Sequence, residues 1–316
     1  MPTEKELLNL NLRYYQKHSK WSQGKMVLLL MTIPSFVFVL IFAYGPILGW
    51  VYAFFDYRIG MKLSQCEFKG LYFVKIALSD PDLLRVLQNT LAISFLSLLG
   101  IPLAAVFAIF LSQMKGMVYR KFVQSATTLP YFISWVIVFS ITFSLFAPDS
   151  GLINQILMKR MSITVPLNPI ANGDIAWLFQ SGLTIWKNIG YNSIIFFSSI
   201  AGIDLDLYEA SDIDGAGRYR KIWNITVPGI MPTFVTLLLI NVGFMLSNGF
   251  DQFYVFMNPM VQRKIEVLDY YVYKVGMQNN DVPVSTALSM AKTVVSVTML
   301  FFTNWISKKV RGQSVL

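Results

Sequence analysis

The chain has 316 residues, of which 55% are hydrophobic and only 14% are charged, and its mean hydropathy is +0.54. A soluble domain carries about a quarter charged residues, so much of this surface is expected to meet lipid. The single histidine, His18, and the single cysteine, Cys66, exclude a zinc site built from several such ligands and a disulfide within the chain. A serine or cysteine nucleophile would depend on His18, which lies among charged residues. The composition therefore indicates an integral membrane protein.

Uncharged tracts mark the predicted membrane spans, because an ionisable side chain at the bilayer centre is costly. Four tracts of 27 to 30 residues carry no charge, and two more are interrupted only by Lys187 or Lys292. About twenty apolar residues cross the hydrocarbon as a helix, so each tract holds one span. The first span has no small-residue cleavage site after it and is expected to be a retained anchor. The predicted fold is all-α and polytopic, with six transmembrane helices near residues 27–47, 89–112, 124–146, 183–203, 230–249 and 286–306.

Lysines and arginines set the expected orientation. The shorter segments that would lie inside carry fourteen of them and the longer outer loops carry ten, so basic residues are denser inside. Residues 1–26 and 307–316 are accordingly predicted to be cytoplasmic segments that flank one six-helix domain at 27–306. The net charge of +9 lies beside the membrane, where it meets lipid headgroups, and requires no nucleic acid.

The sequence carries no nucleotide-binding loop of its own. The phosphate-binding pattern G-x-x-x-x-G-K-[ST] fails at the only Gly-Lys pair, Gly24-Lys25, which is followed by methionine. Nor does the sequence hold paired carboxylates or a nucleophile that the topology would bring together. We expect no catalysis on this chain, so any energy input must come from a partner or an ion gradient.

The predicted inner loop at 204–229 carries five acidic residues in a short stretch. Asp206 is a candidate helix N-cap, and Glu209 lies three residues later, as in a capping box. A short helix is expected to run to about Asp214, followed by a glycine-rich turn. Pro228 is expected to start the next helix. Small residues beside the acids let another surface approach closely, so the loop suits docking of a soluble cytoplasmic protein.

The order Glu209-Ala210-Ser211-x-x-Asp214-Gly215-Ala216-Gly217 in this loop resembles the EAA loop of ABC importer permeases. The resemblance covers nearly the whole chain, and further blocks at 129–135, 185–191 and 267–276 narrow it to the maltose-permease-like group. Within that group the chain is similar to the branch of polysaccharide and complex-oligosaccharide permeases, which includes alginate importers. Two positions depart from the pattern, since Ser211 replaces the usual alanine and Tyr131 stands where the branch commonly has histidine.

The resemblance implies a type I ABC importer permease fold in a bacterial plasma membrane, with a coupling helix at about 206–215 seated in a cytoplasmic ATPase. ATP and magnesium would be bound by that ATPase, so no cofactor is expected on this chain. The other implied partners are a second permease subunit, a second ATPase subunit, an extracellular solute-binding lipoprotein and an oligosaccharide substrate. The residues implied in ATPase coupling are Tyr208, Glu209, Ala210, Ser211, Asp214, Gly215, Ala216, Gly217 and Pro228.

Polar and aromatic residues inside the predicted spans are the candidates for a substrate pathway, because sugars stack on aromatic faces and hydrogen-bond to amides. For the asparagines, hydrogen bonding between helices is the commoner alternative. Lys187 is expected to extend to the headgroups rather than to line the path. Lys292 is expected either to pair with Asp251 or Asp174 or to contact substrate. The candidates are Tyr131, Trp135, Trp186, Lys187, Asn188, Tyr191, Asn241, Asn248 and Lys292.

Three alternatives to an oligosaccharide permease stay open at this point. The EAA loop also serves importers of non-sugar solutes. A membrane receptor or scaffold could use the acidic loop to recruit a soluble partner without transport. A proton-coupled carrier is disfavoured, because the predicted spans contain no Asp, Glu or His for a proton relay.

Overall fold

The computed structural model describes residues 23–161 and 165–311. Over this part of the chain the structure is helical, without a β-sheet and with a single antiparallel bridge between Phe55 and Phe68, as expected for an all-α protein. In chain order the α-helices are α1 (Gln23–Val39), α2 (Tyr72–Ser79), α3 (Pro81–Leu98), α4 (Gly100–Ser112), α5 (Met117–Thr128), α6 (Trp135–Phe146), α7 (Leu152–Met161), α8 (Ala176–Ala201), α9 (Leu205–Ile213), α10 (Arg218–Lys221), α11 (Val227–Gly243), α12 (Phe250–Phe256), α13 (Gln262–Ile265), α14 (Leu268–Tyr273) and α15 (Val282–Arg311).

Short turns of other helical types join several of these helices. A π-helical turn at Ile222–Thr226 makes α10 and α11 one continuous run. Pro228 lies in the first turn of α11, as expected, and the π turn continues the helical run in front of it. Proline lacks the N–H of a regular helix, and a preceding π turn is one way to accommodate it. The other such segments are the π turns Leu40–Tyr44 and Lys274–Gln278 and the 3-10 helices Gly45–Phe54, Leu63–Gln65 and Leu129–Phe132.

Four helical runs in the described chain are long and apolar enough to cross a membrane. A fifth is added if the bent pair Met117–Phe132 and Trp135–Phe146 counts as one span, although its halves meet at 104°. Helix α8 is about 39 Å long at about 1.5 Å per residue, which is long enough to cross a membrane. It is not one of the apolar runs, because it contains a lysine and several side-chain amides. The count of six spans therefore stays a prediction. The four runs are Met26–Phe54, Pro81–Ser112, Arg218–Gly243 and Val282–Lys309.

Helix α8 occupies the centre of the bundle and contacts α3, α4, α5 and α11. One end packs Phe196 against Ala104 of α4 and Ile230 of α11, all of them buried. Gly190 lies where α8 crosses α5, and a Cβ there would overlap the carbonyl oxygen of Thr127. Small residues at such crossings let membrane helices pack closely. The polar α8 thus packs against the apolar runs that contain α3, α4 and α11.

The run Met26–Phe54 is the least covered of the apolar helices. Its most apolar stretch contains no buried residue, and side chains such as Leu30 and Phe36 are more than half exposed. An apolar helix that its own chain leaves uncovered is suited to contact with lipid or with another membrane chain.

Candidate functional site

The acidic loop folds as α9, a nine-residue helix that begins after Asp204. The Asp204 carboxylate accepts a hydrogen bond from the backbone N–H of Asp206 (3.1 Å), so Asp204 is the N-cap. The expected assignment of Asp206 as the cap is wrong by two residues. Glu209 is consequently the fifth helical residue and lies too far along the helix for a capping box. Its carboxylate is left free of that local bond.

A tight turn at Gly215 ends α9. Gly215 has a φ of +70°, in the left-handed region that glycine adopts without strain. The N–H of Ala216 donates to the carbonyl of Ser211 (2.9 Å), which closes the helix end. Gly217 has a φ of −68° and open space around its α-carbon. Of these two glycines, only Gly215 is required by the backbone conformation.

Side-chain hydrogen bonds attach the inner side of this loop to the rest of the chain. The hydroxyl of Tyr208 bonds with that of Thr226 in the π turn before α11 (2.9 Å). The Arg218 guanidinium donates to the side chain of Gln113 at the end of α4 (Nε to Oε1, 3.0 Å). The loop is therefore held against two of the long helical runs at once.

The outer side of α9 carries exposed charged and apolar side chains. Glu209 is exposed and makes no ion pair with a described residue, whereas Asp212 pairs with Lys221. Leu205 and Ile213 are 71% and 88% exposed. The sequence analysis does not single out these apolar residues, although their place in a charge-rich loop is a signal of a docking surface. The residues implied in coupling lie on α9 (Tyr208, Glu209, Ala210, Ser211), in the turn (Asp214, Gly215, Ala216, Gly217) and in α11 (Pro228).

A cavity of about 340 Å³ lies between α3, α4, α8 and the segment that follows α11. This volume is within the range of small-molecule sites. Five of the nine pathway candidates line it, namely Tyr131, Asn188, Tyr191, Asn241 and Asn248. The other four, Trp135, Trp186, Lys187 and Lys292, do not. The polar lining residues that were not candidates are Ser94, Ser97, Thr184, Asn192 and Ser247.

Several lining groups keep hydrogen-bonding capacity for a ligand. Asn188 and Asn241 each donate to a backbone carbonyl four residues earlier in their own helix (2.7 and 2.8 Å), which leaves their amide oxygens available. Asn192 makes no side-chain hydrogen bond with the described part of the chain. Tyr131 and Tyr191 stack with ring centroids 4.0 Å apart and planes at 6°. The cavity therefore combines amides with a flat aromatic pair.

Asn248 joins two elements beside the cavity. The expected helix through residue 249 is wrong, because α11 ends at Gly243 and the chain turns over residues 244–246. The Asn248 side chain donates to the carbonyl of Thr90 (3.0 Å) and accepts a hydrogen bond from the hydroxyl of Ser94, both on α3. These bonds hold the non-helical segment against α3. Asn248 therefore joins two elements by hydrogen bonds, which is the alternative to a substrate-pathway role given above for the asparagines.

Lys292 on α15 forms an ion pair with Asp269 on α14. The expected partners, Asp251 and Asp174, are therefore wrong. The second oxygen of Asp269 accepts the N–H of Gly249 (3.1 Å), which has a φ of +85°. The pair joins α14, α15 and the turn before α12, so Lys292 is engaged in packing and not directed into the cavity.

Lys187 is only 8% exposed, so the expectation that it extends to the headgroups is wrong. Its Nζ donates to the carbonyl oxygens of Tyr131 (2.6 Å) and Pro130 (3.3 Å). It also lies 5.5 Å from the ring centroid of Tyr131 and 5.6 Å from that of Trp135. Both carbonyls lie at the bend between α5 and α6. The carbonyl of Pro130 also accepts the backbone N–H of Ile133 (3.2 Å), whereas the carbonyl of Tyr131 accepts from Lys187. The ammonium group of α8 therefore satisfies and holds the bend.

A buried carboxylate that sequence reasoning missed organises the segment between α13 and α14. Glu266 is 0% exposed and lies 2.8 Å from Arg85 on α3 and 2.8 Å from Lys274. Asn89 donates to its backbone carbonyl (3.1 Å). The only signal in the sequence is a single acid in the apolar run 265–268. Two cations on one carboxylate balance its charge where water is excluded.

Tyr271 on α14 contacts the residue that caps α3. Its hydroxyl donates to the carboxylate of Asp80, the N-cap of α3. Burial, together with this hydrogen bond, raises the pKa of Tyr271 above that of a free phenol. The neutral phenol is therefore the form that joins α14 to the start of α3.

Comparisons with known proteins agree with one another. Residues 100–312 match the family described as binding-protein-dependent transport system inner membrane component. The chain is 34% identical over 294 residues to Protein LplB of Bacillus subtilis (strain 168), and the aligned region covers 93% of this chain and 90% of LplB. It is 33% identical over 284 residues to the polygalacturonan/rhamnogalacturonan transport system permease protein YteP of the same strain, with 89% and 88% covered. Among solved structures it resembles a chain of the bacterial alginate ABC transporter in complex with alginate pentasaccharide-bound periplasmic protein, with a TM-score of 0.82, 28% identity and coverage of 93% of this chain and 99% of that chain.

Proposed function

The chain belongs to the family of binding-protein-dependent transport system inner membrane components, and on this premise we propose that it is the permease subunit of an ATP-driven importer of oligosaccharides or complex glycans. The resemblance seen in the sequence is thereby confirmed at the level of the family. Its relatives are transport components and not enzymes. A glycan cargo for this chain is supported by the names of the similar proteins, which mention polygalacturonan, rhamnogalacturonan and alginate.

The observation that carries the proposal is the outer face of α9. This helix presents exposed apolar side chains and Glu209, which makes no ion pair within residues 23–161 and 165–311, and the sequence lacks a nucleotide-binding loop. In our proposal α9 is seated in a groove of a cytoplasmic ATPase, with Glu209 facing a basic residue. Closure of the ATPase dimer on ATP binding moves α9, and the hydrogen bonds through Tyr208 and Arg218 transmit that movement to the helical bundle.

The cavity is the proposed passage for the glycan. Amides and hydroxyls can hydrogen-bond to sugar hydroxyls, and the stacked Tyr131 and Tyr191 offer an aromatic face. In the proposal two permease subunits alternate between inward-open and outward-open states. Net import requires the glycan to favour one state only while the solute-binding protein is docked outside. The chain forms no covalent bond to its cargo.

We further propose that α8 and the bent pair α5–α6 cross the membrane with the four apolar runs, giving six spans. Support comes from the length of α8, its central position and the fact that several of its polar side chains face the cavity. Residues 1–26 and 307–316 then lie in the cytoplasm. The partners in this proposal are a second permease, two ATPase subunits that bind ATP and magnesium, an external solute-binding lipoprotein and membrane lipid. No nucleic acid or resident cofactor is part of it.

Co-purification tests the proposal directly. The tagged chain is extracted gently from its native membrane, and the accompanying proteins are identified by mass spectrometry. We expect an ATPase, a second polytopic permease and a solute-binding lipoprotein. Recovery of the chain alone, or with an unrelated soluble protein, would contradict the importer and favour a scaffold.

A further inference from the structure

The cavity has a polar wall without charge. Its lining consists of asparagines, serines, a threonine, two tyrosines and apolar side chains, and none of the residues that line it is Asp, Glu, Lys, Arg or His. The amide-bearing members are Asn188, Asn192, Asn241 and Asn248. A ligand in this cavity therefore meets hydrogen-bond donors and acceptors but no ionic partner among the described residues that line it.

The two lysines within the predicted spans are both committed elsewhere. Lys187 lies next in sequence to Asn188, which lines the cavity. Its Nζ is nevertheless held by the carbonyl oxygens of Tyr131 and Pro130. Lys292 is paired with Asp269. Releasing Lys187 toward a ligand would take the side-chain donor from the Tyr131 carbonyl, and releasing Lys292 would take the cation from the Asp269 carboxylate, both of which are unfavourable. Neither lysine is available to neutralise an anionic cargo.

A carboxylate moved from water into such a cavity loses its hydration and gains only neutral donors. A sugar hydroxyl exchanges water for an amide or hydroxyl of similar strength and can place its ring face on an aromatic side chain. The lining thus discriminates by charge, because its neutral groups replace the hydration of a hydroxyl but not that of a carboxylate.

We propose that this cavity takes uncharged sugar residues and disfavours uronic acids, so that the cargo of the importer is a neutral oligosaccharide and this chain differs in charge preference from the similar proteins named for polygalacturonan and alginate. The inference rests on the proposed function, since it treats the cavity as the glycan passage. The inference goes beyond the proposed function because it names the charge class of the cargo from the chemistry of the residues that line the cavity.

The test is direct binding to the purified permease–ATPase complex without the solute-binding protein, whose own selectivity would otherwise dominate. The probes are radiolabelled neutral tetrasaccharides of glucose, mannose and xylose, compared with tetragalacturonate and tetramannuronate by equilibrium dialysis. We expect at least one neutral probe to bind tenfold or more tightly than either uronate. Equal or tighter binding of a uronate would overturn the inference, and so would the absence of binding by every neutral probe.

Variants that add a positive charge to the lining of the cavity provide a second test of the inference. Asn192→Lys adds a cation to the cavity, and Ser97→Lys adds one from α3 should the first variant fold poorly. Either is expected to strengthen tetragalacturonate binding tenfold or more, in a salt-sensitive manner. The matched control is Asn279→Lys, an exposed position outside the cavity, which is expected to change nothing. An unchanged preference in both cavity variants would also overturn the inference.

The inference and the proposed function fail in different ways. Lack of ATP-dependent uptake of every saccharide by the complete complex would contradict the proposed function itself. ATP-dependent uptake of uronates, with tight uronate binding to the complex, would contradict only the charge preference.

Discussion

The loop around α9 and the cavity around α8 differ in how their residues come together. The loop is built from consecutive residues, 204–217, and its outer face is exposed. The cavity is built from residues spread between 93 and 253, and its lining is supported by buried contacts. A substitution on the loop's outer face should therefore change coupling and leave folding intact. A substitution in the support of the cavity should change folding first.

The largest functional effect is expected at the outer face of α9. Glu209→Lys reverses the charge that faces the ATPase in our proposal, so ATP-driven uptake should fall to background while the melting temperature of the purified chain stays unchanged. Uptake assays and thermal unfolding in detergent provide the two readouts. Glu67→Lys, an exposed reversal in a predicted outer loop, is the control and should retain uptake. Normal uptake by Glu209→Lys would remove the coupling assignment.

The largest structural effect is expected where α8 crosses α5. Gly190→Val places a side chain on the backbone of Thr127, so the helices must separate, at a cost of about 3 kcal/mol or more. We expect little folded protein and a lowered melting temperature. Gly182→Ala on the same helix meets open space and is the matched control. Equal melting temperatures for the two variants would show that this crossing is not close-packed.

The next largest effect on stability is expected for Lys187, which holds the bend between α5 and α6. Lys187→Met keeps the length of the side chain but leaves the carbonyl of Tyr131 without the lysine donor, which is expected to cost about 2 kcal/mol. The melting temperature should fall, and glycan binding should weaken because Tyr131 lines the cavity. Lys121→Met, at an exposed position of α5, is the control. Full stability and full binding in Lys187→Met would mean that the bend does not depend on the ammonium group.

The smallest effect is expected in the turn after α9. Gly215→Ala forces alanine into the left-handed region, at a cost of about 1 kcal/mol. Gly217→Ala should be neutral, because that residue already has a φ open to any side chain. Uptake rates of the two variants measure the difference. A greater loss at position 217 than at 215 would reverse our assignment of the turn.

The contrast between the two regions also explains what sequence reasoning could achieve. The loop was found because its acids, small residues and glycines are contiguous, and their order alone carries the family resemblance. The helical class followed from charge-free tracts. The cap was misplaced by two residues because Asp204 and Asp206 are equally good capping side chains, and only the backbone shows which one accepts the N–H.

The cavity was predicted less completely because its contacts cross long sequence separations. Lys187 was misjudged because its acceptors lie more than fifty residues away, at a bend that no periodicity reveals. The pairing of Lys292 with Asp269, 23 residues away, depends on how α14 packs against α15, which no sequence pattern shows. The polarity of Asn188 and Asn241 was visible in the sequence, but whether they line a cavity or join helices depends on the neighbouring helices.

The most direct test of the account is uptake of labelled oligosaccharides by vesicles that contain the purified complex, with ATP inside and the solute-binding protein outside. The account predicts accumulation that requires both ATP and the binding protein and that Glu209→Lys abolishes. Accumulation that continues without ATP and stops when a proton gradient is dissipated would contradict it, and so would a complex that hydrolyses ATP but moves no saccharide.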